Sequence, residues 1–128
     1  MKVPAAPRAL DATNEAPGRS LQVAVIGPGS CSRTEYQDAY EVGRLLALAQ
    51  AVVVCGGLGG AMEAVARGAR EAGGHTIGIL PGHDRASANS YIEWSVTTGM
   101  GEARNLAVVS SGDAVIAVGG SYGTLTEI

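Results

Sequence analysis

The chain has 128 residues, of which 19 are glycine and none phenylalanine; 46% are hydrophobic, 4% aromatic, and the formal net charge is −3. A collagen-like repeat needs glycine at every third position and a disordered chain is poor in aliphatics, so this composition describes one folded domain with a core of Ala, Val, Leu and Ile. The 9 basic residues are scattered singly, which leaves no stripe to track a nucleic-acid backbone or an anionic membrane. The apolar runs at 51–55 and 114–118 are too short to span a bilayer, and the first residues lack the layout of a secretory signal. A cytoplasmic protein with a small, polar or acidic partner is expected.

Residues 1–20 carry Pro4, Pro7, Pro17 and Gly18 among polar residues and alanines and are expected to form a flexible tail. From Leu21 the pattern changes. LQVAVIG reads as a buried strand closed by Gly27, Pro28 and Gly29, and a helix follows, capped by Ser32 or Thr34, with Tyr36, Ala39, Tyr40, Gly43, Leu46 and Ala47 at helical spacing. The unit then repeats: AVVVC is a strand, 56–60 a glycine loop, and 61–72 a helix with Met62, Val65, Ala66 and Ala69 on one side and Gly73 and Gly74 at its C-cap. HTIGILP gives a third strand, 82–90 a polar loop, 91–96 a fourth strand, 102–109 a short helix, AVIAV a fifth strand, and 119–123 the loop behind it.

Aliphatic strands buried on both faces and alternating with helices predict an α/β, Rossmann-like, doubly wound parallel sheet over residues 21–128. The loop at 119–123 opens a further element for which few residues remain, so the domain is expected to be incomplete at its C-terminal end. Twelve of the 19 glycines follow strands directly, so the parallel sheet gathers them at one edge, where doubly wound sheets bind ligands.

The first glycine loop reads Gly27-Pro28-Gly29-Ser30-Cys31-Ser32, which lacks the third glycine of the dinucleotide fingerprint, and the second strand ends in Val54, Cys55 and Gly56 rather than an acid. A conventional NAD site is therefore not expected. The only lysine is Lys2, so neither a P-loop lysine nor a Schiff-base lysine is available. In the second loop Gly57, Gly59 and Gly60 either let backbone approach a ligand at a helix N-terminus or allow helix and sheet to pack closely. The third loop, Gly119-Gly120-Ser121-Tyr122-Gly123-Thr124-Leu125-Thr126-Glu127, offers amides and hydroxyls as a phosphate cradle. Glu127 is placed either to cap a helix through Thr124 or to reach a bound sugar. Arg104, in GMGEARN, shares the ligand edge; it is either a surface charge or a ligand contact. His75 falls at the opposite edge as a structural residue, and Asp84 and Arg85 read as solvated loop charges. His83 has no second histidine or carboxylate pair beside it, and Cys31 and Cys55 lack metal spacing, so two buried or half-buried thiols and no metal site are expected.

These residues resemble the LOG-like ("Lonely Guy") proteins, a group also labelled lysine decarboxylases, whose members carry a PGGxGTxxE motif preceded by an Arg-Lys pair. Residues 119–127 stand at that motif, Arg104 and Asn105 at the pair, and CGGLGGAMEAVARGAREAGGHTIGILP resembles the group's GGGxxGLMGxxAxxAxxxGGxxIGxxP stretch. The resemblance spans residues 21–128. It implies a Rossmann-like homodimer or homotetramer that binds a small phosphorylated, nucleotide-like ligand without a resident cofactor. It also implies a phosphoribohydrolase that cleaves a nucleoside 5′-monophosphate to free base and ribose 5-phosphate. Carried over, Gly120, Ser121, Gly123 and Thr124 would hold the phosphate; Gly27, Gly29, Ser30, Gly57, Gly59 and Gly60 of the other ligand-edge loops are the further residues expected to bind the phosphate or nucleotide. Glu127 would act at the ribose, and Arg104 at the leaving base or the active carboxylate. The decarboxylase label conflicts with the lysine content. Gly119, Ser121, Thr126, Asn105 and Glu102 depart from the Pro, Gly, Glu, Lys and His of the pattern. These departures match a divergent branch that includes molybdenum-cofactor-carrier-like proteins, for which the implied role is that of a non-catalytic carrier or sensor of a phosphorylated nucleotide or pterin.

Overall fold

A computed structural model describes residues 20–119. Five strands, β1 (Gln22–Ile26), β2 (Val52–Cys55), β3 (Thr76–Leu80), β4 (Trp94–Thr97) and β5 (Ala114–Ala117), form one sheet in the order β4-β3-β2-β1-β5 with every neighbouring pair parallel. Three helices, α1 (Arg33–Leu48), α2 (Ala61–Glu71) and α3 (Arg104–Ser110), complete the doubly wound α/β arrangement that the alternating pattern predicts. Alternation along each strand divides the core. Val23, Val25, Val53 and Cys55 point to the face covered by α1 and α2, whereas Ala24, Ile26, Val54 and Ile79 meet Val108 of α3 on the other.

Both-face burial holds for β1 to β3 but not for the outer strands, because β4 and β5 are the sheet's edges among the described residues; Trp94 is 52% exposed and Val96 48%. The fourth strand also starts three residues later than expected. Asn89 closes a turn in which its Oδ1 accepts from the Tyr91 amide and its carbonyl from Ile92. Buried Thr76 then ties that turn to β3, donating its hydroxyl to the Tyr91 carbonyl and accepting from the Glu93 amide. The polar loop contains a 3-10 turn, Arg85–Ser87, whose cap is Asp84, so Asp84 has a structural role despite its exposure. The last helix is a 3-10 turn, Gly101–Ala103, running into α3. His75, at the start of β3, pairs with Glu93 and stacks on Trp94 at the edge away from the ligand-side loops, as expected.

The two helices on one face touch backbone to backbone. A Cβ built on Gly43 falls well inside contact distance of the Val65 carbonyl oxygen, and one on Gly68 does the same at the Tyr40 carbonyl. Ala39, Ala64, Ala61 and Ala69 extend this small-residue seam. Crowding of that kind cannot be relieved by a side-chain rotation, so Gly43→Ala and Gly68→Ala should each lower the unfolding free energy by about 2 kcal/mol or more. Gly73 ends α2 at φ 84° with nothing near its missing Cβ, so Gly73→Ala should cost only about 1 kcal/mol of left-handed backbone strain. Urea unfolding of the three variants checks the ranking.

Candidate functional site

In this strand order the chain leaves β1 through α1 on one face, while β5 arrives through α3 from the other. The crevice between the C-terminal ends of β1 and β5 is therefore the topological switch point, the place where an open α/β sheet presents a ligand site. The loops after β1, β2 and β5 meet there. The Ala61 amide donates to the Pro28 carbonyl at 3.0 Å, and Gly60, at φ 65°, packs against the backbone of Pro28 and Gly29. A Cβ on Gly27 would lie 2.7 Å from that of Ala61 and 3.0 Å from the Val118 carbonyl, and one on Gly119 would lie 3.0 Å from Glu35 Oε2 and from Pro28.

This separates the expected site glycines by what they do. Gly27, Gly57 and Gly60 stand at points of close packing or left-handed backbone: Gly57 has φ 82°, and a Cβ there would meet Leu80 at 2.8 Å. Gly29, Ser30 and Gly59 are exposed on the edge, open to a ligand. Gly120, Ser121, Gly123, Thr124 and Glu127, the expected cradle and acid, lie outside the described residues, as does the tail up to residue 19.

The two helix N-termini at this edge differ. On α1, Ser32 Oγ accepts from the Glu35 amide at 3.1 Å and Glu35 Oε1 accepts from the Ser32 amide at 3.0 Å, so the chain's own capping box occupies that end. On α2 the cap is Gly60, with no side-chain hydrogen bond. Ala61 is spoken for by Pro28 and Ala64 by the Gly60 carbonyl, whereas the Met62 and Glu63 amides belong to a first turn that has no intrahelical acceptor. The end of α2, with its dipole, is the better anion seat.

Arg104, the first residue of α3, is only 9% exposed. It lies across the loop after β2, with Nη2 3.8 Å from Met62 Sδ and 2.8 Å from where a Gly56 Cβ would be. The sequence left Arg104 between surface charge and ligand-edge residue; the structure buries it at the edge, in the space opened by Gly56. Asn89 was not legible as a site residue. Its amide donates to the Leu58 carbonyl at 2.8 Å and the Gly57 carbonyl at 3.3 Å, and its backbone N–H to Gly57 at 2.8 Å, which fixes the glycine loop. The Asx turn onto Tyr91 is a recognisable signal, but the bonds to residues 31 and 32 positions earlier are not. His83 packs its ring against Gly99. Both cysteines are free thiols, Cys55 buried and Cys31 partly so. Burial, then Glu35 and Glu63, raises the Cys31 thiol above its usual range.

A parallel, doubly wound sheet with interlocked glycine loops over its switch point defines a Rossmann-like fold. Residues 20–128 match the SLOG cluster4 family, and the chain belongs to it. An uncharacterised protein of Archaeoglobus fulgidus is 46% identical over 108 residues, 84% of this chain and 71% of its own. Among solved structures, the molybdenum cofactor binding protein of Rippkaea orientalis is similar at 40% identity with a TM-score of 0.82, covering 86% of this chain and 69% of its own. The molybdenum cofactor carrier protein of Chlamydomonas reinhardtii is similar at 33% identity with a TM-score of 0.78, covering 85% and 68%.

Cys55, at the end of β2, gives the edge a titration signature. Burial pushes its thiol from 9.0 up to about 11, outweighing the Gly57 backbone and the Arg104 charge, which pull it down. Between pH 9 and 11 the unfolded chain releases this proton while the folded chain keeps it, so stability falls as pH rises through that window. The loss should be about 2–3 kcal/mol, and urea midpoints measured across the window should show Cys55→Ala flattening the slope.

Proposed function

We propose that this protein binds a phosphorylated pterin of the molybdenum-cofactor type at the switch-point edge and carries it without chemical change. The observation that supports this best is the open N-terminus of α2 beside buried Arg104, in a chain similar along most of its length to a molybdenum cofactor binding protein and a molybdenum cofactor carrier protein. The first-turn amides of α2 would take phosphate oxygens, and the Arg104 guanidinium would complement the remaining negative charge from across Gly56. Gly29, Ser30 and Gly59 would form the lip, and the cradle at Gly120, Ser121, Gly123 and Thr124 would complete the seat from the β5 side.

A carrier needs tight seating and exclusion of water rather than a reacting acid and base. On this reading Glu127 contacts its ligand without cleaving it, and the phosphoribohydrolase chemistry implied by the LOG resemblance is not the role of this chain. Incubation with neopterin monophosphate should raise the melting temperature and return the ligand unchanged on chromatography. Arg104→Met should weaken binding by about tenfold or more through loss of a charge-assisted contact. Free base released from AMP and lost in Glu127→Gln would instead establish the hydrolase.

A further inference from the structure

Three of the chain's five aromatic residues gather around one cation. The Arg67 guanidinium lies 5.9 Å from the ring centres of both Tyr40 and Tyr91 and also bonds Tyr36. Its Nε donates to Glu71 Oε2 at 3.0 Å, and the Tyr40 hydroxyl donates to Glu71 Oε1 at 2.5 Å. This network ties α1 to α2, and it also builds one wall of a groove of ≈ 690 Å³ along the outer face of α1. Tyr36, Gln37 and Tyr40 line the groove at helical spacing, and Cys31 and Ser32 close its upper end, directly after exposed Gly29 and Ser30 of the ligand edge. The volume is in the range of small-molecule sites.

The placement of the aromatics singles this groove out. Among the described residues, Trp94 stacks on His75 at the opposite end of the sheet, and Tyr91 meets Arg67 from the turn before β4. Tyr36 and Tyr40 are the aromatic side chains in a groove that runs up to the glycine loops. Tyr40 is already held by Glu71 and Arg67, so a ring stacking on it meets a surface that has little freedom left to lose.

We infer that this groove is the subsite for the flat heterocycle of the ligand, with Tyr36 and Tyr40 as stacking surfaces and the Gln37 amide at the ring's hydrogen-bonding edge. The inference rests on the reading of the glycine edge as the phosphate seat. Neopterin monophosphate, whose ring fluoresces, tests it against the 128-residue chain, with inorganic phosphate as a competitor that reads the phosphate seat alone. The double variant Tyr36→Leu/Tyr40→Leu should raise the Kd for neopterin monophosphate by about tenfold or more and abolish the quenching of its fluorescence. Inorganic phosphate should raise the melting temperature of this variant as it does that of the unaltered protein, and Tyr36→Phe/Tyr40→Phe should restore wild-type affinity, which a loss of fold would not allow. Wild-type affinity and quenching in the leucine variant overturn the groove and leave the phosphate seat standing. Failure of the unaltered protein to bind either neopterin monophosphate or inorganic phosphate overturns the seat, and the groove with it.

Discussion

The Ala61 amide reaches the Pro28 carbonyl because no side chain separates the loop leaving β1 from the helix entering after β2. That backbone contact sets the geometry of the whole ligand edge. It holds the start of α2 over the switch point and brings Gly29 and Gly60 together, and Gly27, at the same junction, packs against the end of β5. Below it the same economy of side chains recurs at the crossing of α1 and α2, where Gly43 and Gly68 let two backbones touch. A larger residue at either level would push the helices outward and move the amides at the end of α2 with them.

The difference between the two helix ends explains how one edge can offer both a sealed and an open terminus. Ser32 and Glu35 cap the first turn of α1 from within the chain. α2 has a glycine cap without a side-chain hydrogen bond, and Arg104 lies buried across the loop from it. Asn89 contributes by immobilising the loop between them through the Gly57 and Leu58 carbonyls. A seat for a small anion built in this way owes more to fixed backbone dipoles than to mobile side chains, and little has to be ordered when the ligand arrives.

Most of the fold was legible in the sequence because local signals agreed with the global arrangement. The aliphatic runs gave β1, β2, β3 and β5; Ser32, one of two expected caps, caps α1; and Gly73 marked the end of α2. β4 starts later than the expected 91–96 because Glu93 is held at the strand's base by Arg70 and His75, partners 23 and 18 residues away. At the site, the gathering of glycines was legible as an edge. The division between glycines that pack and glycines that face solvent was not, because it depends on which loop lies opposite each one. The clustering of Tyr36, Tyr40 and Tyr91 on Arg67 was hidden for the same reason: no periodicity joins α1 to the turn before β4.

The central claim is that a phosphate binds over the switch point at the N-terminus of α2. Backbone amide shifts of isotope-labelled protein, followed during titration with neopterin monophosphate, test it most directly. Gly29, Gly59, Met62 and Glu63 should move with one saturating curve while His75 and Trp94, at the opposite end of the sheet, stay in place. Saturable shifts confined to His75, Glu93 and Trp94, with the α2 terminus unmoved, would contradict it.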